Sequence, residues 1–168
     1  MSSKATNSTA SLNFASNTRA ALEIHSAPGI SYNCTNFVIP SIQTSAAKQP
    51  TPFTDFPLRG DTLVYSPLEI TFIVTENLEN WNLGVAWMEG FTAPVSAQQW
   101  LDKKFEYSDA TIFIYNSHNN LKLQVEFSNL TPTFIGGLRF DTTPEGVVEI
   151  MCDMTFEYQY FSVKSLTK

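Results

Sequence analysis

A chain of 168 residues is the size of one domain, and 43% hydrophobic with 13% aromatic content, including 13 Phe, excludes a disordered polymer. The formal charge of −6 and a pI near 4.8 argue against a basic patch that grips nucleic-acid phosphates. Between Gln49 and Leu101 the only basic residue is Arg59, against Asp55, Asp61, Glu69, Glu76, Glu79 and Glu89, and such an acidic surface solubilises while repelling DNA.

In chain order, Met1 to Asn17 is rich in Ser, Thr, Asn and Ala with only Leu12 and Phe14 as anchors, so residues 1–20 are expected to form a flexible arm. Residues 21–168 are expected to form one β domain. Ala20–Ser26 and Ile30–Val38 have strand patterns split by the turn dipeptide Pro28-Gly29, which predicts a hairpin. From Pro40 to Pro67 the prolines at 40, 50, 52, 57 and 67 disfavour a helix interior or a central strand. This segment reads as an exposed arm or long hairpin reaching toward a neighbour, because Phe53, Phe56, Leu58, Leu63, Val64 and Tyr65 would be superfluous in a solvated linker.

Leu68–Thr75 alternates as a strand, with Leu68, Ile70, Phe72 and Val74 on one face. The period then changes: Leu78, Trp81, Val85 and Met88 mark one face of a short helix, capped by Thr75 or Asn77 and ended by Gly90 and Pro94. Thr111–Tyr115 and Leu121–Phe127 flank the polar cluster Asn116 to Asn120 and predict a second hairpin. The strongest alternation runs from Val148 to Tyr160, with Cys152, Met154 and Phe156 among the inward set and Glu149, Asp153 and Glu157 facing water. The fold class is therefore mainly β: a two-sheet sandwich or barrel with one short packed helix and a long extended loop or hairpin.

Groups able to do chemistry are sparse. His25 and His118 are the only histidines, and neither sits in a zinc-binding spacing. The acidic pairs Asp55/Asp61 and Glu76/Glu79 could serve a hydrolase, but two acids near a helix start are expected from capping and dipole alone. Gly136-Gly137 lacks the context of a phosphate loop. Cys34 and Cys152 form no CxxC and are expected as buried free thiols in a protein made in a reducing compartment. No basic-then-apolar leader and no membrane-length apolar run is visible, so neither secretion nor membrane insertion is expected. The expected protein is not an enzyme and carries no cofactor or metal.

The run Leu58-Arg59-Gly60-Asp61-Thr62, the strand Leu68 to Val74, and a helix opened by Thr75-Glu76-Asn77-Leu78-Glu79-Asn80-Trp81 and closed by Trp87-Met88 resemble the tail-tube proteins of T4-like contractile phages. The C-terminal half is similar too, with Thr131-Pro132, Phe140-Asp141 and a last strand ending in Phe156-Glu157-Tyr158 to Phe161, so the resemblance covers roughly Leu22 to Val163. It implies a subunit of hexameric rings that stack into a tube, with each copy lending strands to a large barrel around a lumen that conducts DNA during ejection. It also implies tail sheath and baseplate or tape-measure proteins as partners, and a place in the virion tail after synthesis in the host cytoplasm. The Ser/Thr/Asn-rich arm and the five prolines would suit a specialised ring of the same fold, such as a baseplate tube-initiator or hub-junction protein, and a tail-terminator ring is a further alternative from the same class.

On this reading Lys122, Gln124, Glu126, Glu149, Asp153 and Glu157 line the lumen, and Phe53, Phe56, Leu58, Arg59 and Asp61 make contacts between rings. An alternative from another class is a monomeric β-sandwich that binds a carbohydrate or small ligand through Trp81, Trp87 or Trp100.

Overall fold

The computed structural model describes residues 19–50, 52–92, 107–141 and 148–166. The Ser/Thr/Asn-rich arm up to Asn17 and Trp100 lie outside them. The chain order is β1 (Ala20–Ile24), α1 (Pro28–Tyr32), β2 (Cys34–Val38), β3 (Ile42–Pro50), β4 (Asp55–Tyr65), β5 (Leu68–Ile73), α2 (Glu79–Thr92), β6 (Ser108–Tyr115), β7 (Leu121–Ile135), β8 (Met151–Glu157) and β9 (Tyr160–Ser165). Seven strands join in the path β1-β6-β7-β8-β5-β2 with β9 also on β7, while β3 and β4 form a separate two-stranded sheet.

The 15 residues of β7 serve two sheets. Its first part, up to Leu130, pairs with β6 and β9, and Thr131 to Ile135 pair with β8. The change of direction falls at Asn129, whose φ of 55° is left-handed, a region that Asn enters more readily than other side-chain-bearing residues. Two hydrogen bonds hold it there: its backbone N–H donates to Asp109 Oδ1 (3.1 Å) and its side-chain amide to Gln159 Oε1 (2.6 Å).

The two sheets, β1-β6-β7-β9 and β7-β8-β5-β2, share a core built by strand alternation. Leu22 and Ile24, Leu68, Ile70 and Phe72, Ile112, Val125 and Phe127, and Cys152, Met154 and Phe156 are all buried within it. Helix α2 lays the fully buried Trp87 across Phe156, with ring centroids 5.8 Å apart. It also brings Gly84 so close that a Cβ there would stand 2.7 Å from Ile135 Cδ1. The sandwich with one packed helix and one long hairpin is therefore as expected. Among the described residues the strand path is open and closes into no barrel.

Four local expectations need correction. Residues 20–38 form no hairpin, because β1 pairs with β6 and β2 with β5. Pro28-Gly29 opens a helical turn instead: Pro28 takes the first helical position, where its missing N–H costs nothing, and Ile30 is buried. In α2 the buried positions are Asn80, Gly84 and Trp87, so the apolar face sits one residue away from the Leu78, Trp81, Val85, Met88 stripe. Close approach to Ile135 selects Gly84, and Asn80 is tolerated because its Oδ1 accepts from Thr75 N, Thr75 Oγ1 and Trp81 N while its Nδ2 donates to Ile73 O.

The alternation from Val148 to Tyr160 is not one strand. β8 begins at Met151 and ends at Glu157, and β9 begins at Tyr160 on the other sheet. The inward parity changes across Tyr158-Gln159: Cys152, Met154 and Phe156 point inward in β8, but Phe161 rather than Tyr160 packs on Phe127 in β9. β8 therefore pairs with Thr131 to Ile135 of β7, while β9 pairs with Leu123 to Ser128 of the same strand. The thiols also differ: Cys152 is buried as expected, whereas Cys34 is only partly so.

Candidate assembly surfaces

The β3–β4 hairpin leaves the body at the buried Pro40 and returns at Pro67, so the proline-rich segment is ordered as antiparallel strands. Its register runs from Ile42 opposite Tyr65 to Pro50 opposite Asp55, with a shift between Thr44 and Ala46. The extra residues of β4 bulge there, and Gly60 is required: a Cβ would fall 1.5 Å from the Ser45 carbonyl oxygen. Cross-strand register places Phe56, Leu58 and Val64 on one face, opposite Gln49, Ala47 and Gln43. Leu63 and Tyr65 take the other face.

Of the residues expected to contact another ring, Phe53 stands at the tip, 98% exposed, and Phe56 and Leu58 are exposed on the shared face. Asp61 is exposed farther along β4, and Arg59 occupies the register position opposite Ala46. The structure gathers this set on one projecting element.

At its stem the hairpin is fixed. Ser66 N–H donates to Ser41 O (3.0 Å), the two serine hydroxyls lie 2.7 Å apart, and Tyr158 Oη donates to Ser66 O (2.8 Å). Tyr65 meets the rings of Tyr158 and Phe161 edge-on, at 6.3 and 5.7 Å. Burial, then the neighbouring Tyr65, raises the Tyr158 pKa, which keeps its hydroxyl a donor.

The residues expected to line a lumen divide between two faces. Lys122, Gln124 and Glu126 lie on the outward face of the β1-β6-β7-β9 sheet, where Lys164 pairs with Glu126 and Gln124 Nε2 donates to Glu126 Oε1. Glu23 stands opposite Thr111 in the row of Glu126, so this face mixes both signs of charge. Asp153 and Glu157 lie on the outward face of the other sheet, opposite Thr71 and Thr131, and Thr71 Oγ1 donates to Asp153 Oδ1 (2.8 Å). Glu149 is exposed just before β8. Glu69 joins Asp153 and Glu157 there, and β2, β5, β8 and the Thr131–Ile135 part of β7 contain no Lys or Arg. The sign difference between the two faces follows from strand pairing, which the sequence pattern alone could not assign.

Chemically equipped groups are dispersed. Among the described residues no three His, Cys, Asp or Glu side chains converge as a metal site, and no helix is long and apolar enough to cross a membrane. His25 Nδ1 lies 3.0 Å from Asp109 O, and His118 is exposed in the β6–β7 turn. Trp87 fills core, and Trp81 Nε1 donates to Gly136 O. Two open depressions, of about 350 and 320 Å³, are lined by neither Trp81 nor Trp87 but chiefly by Asn129, Glu157 and Gln159 in one and Glu23, His25 and Asp109 in the other.

No family model and no curated protein sequence matches this chain. Solved structures do. The tube-terminating cap of the anti-feeding prophage superposes with a TM-score of 0.61 at 13% identity, over 98% of this chain and 99% of that one. A chain of the anti-feeding prophage baseplate gives 0.56 at 9% identity, over 89% and 93%. A chain of the sheath–tube complex of an extracellular contractile injection system, PVC, gives 0.52 at 15% identity, over 88% and 89%. The chain therefore has the tail-tube-like fold that its sequence resemblance implied, shared with structural components of contractile injection systems.

Proposed function

We propose that this chain is a non-enzymatic structural subunit of a contractile tail or injection device, assembling into rings that stack as its inner tube. The observation that carries this reading is the hairpin: an apolar, ordered arm standing clear of a sandwich whose own core is already filled. A two-stranded hairpin is marginal in water by itself and calls for a partner surface. Its locked stem keeps it from folding back on its own body, which favours a contact between copies. Such a head-to-tail contact closes into rings or propagates as a stack.

Charge supports the same partner. Residues 40–67 hold Lys48 and Arg59 against Asp55 and Asp61, so the segment is formally neutral, leaving eight basic and fourteen acidic residues, a net −6, to the remainder. The arm can approach another acidic body without the repulsion two bodies would feel. In a hexameric ring the acidic face carrying Glu69, Asp153 and Glu157 would turn to the lumen, letting DNA pass without adhering. Sheath, baseplate or tape-measure proteins would be its other neighbours, and the tail its location.

Negative-stain imaging of purified protein is expected to show rings or tubes, and a strictly monomeric chain at high concentration would overturn the proposal. A second reading, a terminator ring, is favoured by the near-complete mutual coverage with the anti-feeding prophage cap. It predicts single or double rings that never lengthen as protein concentration rises. Changing Glu149, Asp153 and Glu157 together to Lys is expected to preserve assembly but slow DNA passage. Normal infectivity of particles built with that variant would remove the lumen assignment.

A further inference from the structure

We infer that Tyr158 is the positioning residue of the hairpin, fixing the angle at which the arm leaves the body; its importance for assembly rests on the function proposed above. Tyr158 lies in the two-residue gap between β8 and β9, where the chain passes from one sheet to the other. Its ring is set edge-on against Phe127 (5.0 Å, 73°) and Phe161 (5.9 Å, 71°), and Phe127 is a buried core residue. One end of Tyr158 is thereby anchored in the core. The other end reaches the stem twice, through the hydroxyl on the Ser66 carbonyl and through the edge contact with Tyr65.

The other stem hydrogen bonds among the described residues do not do this job. Ser66 N–H to Ser41 O and the paired serine hydroxyls join the two stem strands to each other, so they hold the hairpin closed without orienting it. Orientation requires a bond from stem to body, and Tyr158 supplies a hydrogen bond whose direction is set by a ring that cannot turn freely. Phe161 adds a ring contact with Tyr65 but no directional polar bond.

Lever geometry gives the consequence. An arm of nine or more residues per strand is about 30 Å long at about 3.3 Å per residue, so a swing of about 10° at the stem moves its tip by about 5 Å. That displacement exceeds the width of a side chain. The contacts proposed above for Phe53, Phe56 and Leu58 on another copy would then fall out of register.

The test measures the angle directly and does not require assembly. Spin labels are attached through p-acetylphenylalanine at Gln49, on the exposed end of β3, and at His118, on the exposed β6–β7 turn. The distance distribution is recorded by double electron–electron resonance on dilute full-length protein. The unaltered chain is expected to give one narrow distribution. Tyr158→Phe, which removes only the hydroxyl, and Tyr65→Leu, which removes the ring on the hairpin side and leaves the core untouched, are each expected to broaden it about twofold with little change in melting temperature. A purely structural role would instead lower the melting temperature and leave the width alone. An unbroadened distribution in either variant overturns the inference. If the unaltered protein assembles, both variants are expected to need about tenfold more protein to do so. If it never assembles, the proposed function fails while the distance widths still decide the role of Tyr158.

Discussion

In the sandwich, Phe72, Phe127 and Phe156 are wholly enclosed; in the hairpin, Phe53, Phe56 and Leu58 face outward. The residue types are alike and so is the antiparallel pairing, but the energy is spent in different places. The sandwich satisfies its apolar surface within the chain, which stabilises the fold at about 25 cal/mol per Å² buried. The hairpin leaves that stabilisation available for association. Damage to the first region should therefore cost stability, and damage to the second should cost assembly.

The largest stability loss is expected at Trp87. Trp87→Ala empties the space between α2 and Phe156 and is expected to cost about 3–5 kcal/mol, read as a fall in urea midpoint with circular dichroism. Retention of the original midpoint would show that the core is not centred where α2 meets β8. The opposite arm of the comparison removes residues 42–65 and rejoins Ser41 to Ser66. The body is expected to keep its stability within about 1 kcal/mol, since no hydrophobic residue of the buried core lies in the deleted span, while electron microscopy shows that ring formation is lost. A body that unfolds on this deletion would make the hairpin part of the fold rather than an arm.

A smaller effect separates backbone from side chain within the sandwich. Asn129→Ala forces an ordinary side chain to hold a left-handed conformation and removes the bond to Gln159, which is expected to cost about 1–2 kcal/mol. Asn129→Gly relieves the conformational part and is expected to cost clearly less by the same melt. Equal losses would place the whole contribution in the hydrogen bond. Gly60 offers the matching test in the hairpin. Gly60→Val should disrupt β3–β4 pairing, because the Ser45 carbonyl occupies the space, and it should lower assembly while sparing the melting temperature of the body.

What the sequence disclosed follows the range of its interactions. The β6–β7 hairpin, the strand at Leu68 and the cap at Thr75 are local, so periodicity and turn chemistry located them; Thr75 Oγ1 indeed accepts from Glu79 N. The proline-rich segment was legible as an extended arm because its apolar content had no reason to be solvated. The split of the last strand was not legible, since Tyr158, Tyr160 and Phe161 are all aromatic and a parity change among aromatics leaves no trace in an apolar/polar pattern. The phase of α2 was hidden for a related reason: close approach chose a glycine and a well-bonded asparagine over the larger apolar residues. The lumen set mixed two sheets because register partners, not alternation, decide which outward face a residue shares.

The smallest expected effect lies at the junction of the two regions. Cys34 is on β2, the strand that leads through Pro40 into the hairpin. Burial pushes its thiol up to about 11, against a smaller opposing effect of the Asn36 backbone. Between pH 9, the ordinary value, and about 11 the folded chain keeps this proton while the unfolded chain has released it. The unfolded state then binds fewer protons, so the contribution of Cys34 to stability is present below pH 9 and lost as pH rises through that window. Iodoacetamide labelling of the Cys34 peptide, followed by mass spectrometry, is expected to accelerate about tenfold per pH unit until near 11 instead of levelling near 9. In the chain lacking residues 42–65 the same profile is expected if the body is independent of its arm. A profile that levels near 9 in that chain would show that the hairpin keeps β2 closed, and the boundary between the two regions would then move from Pro40 back to Cys34.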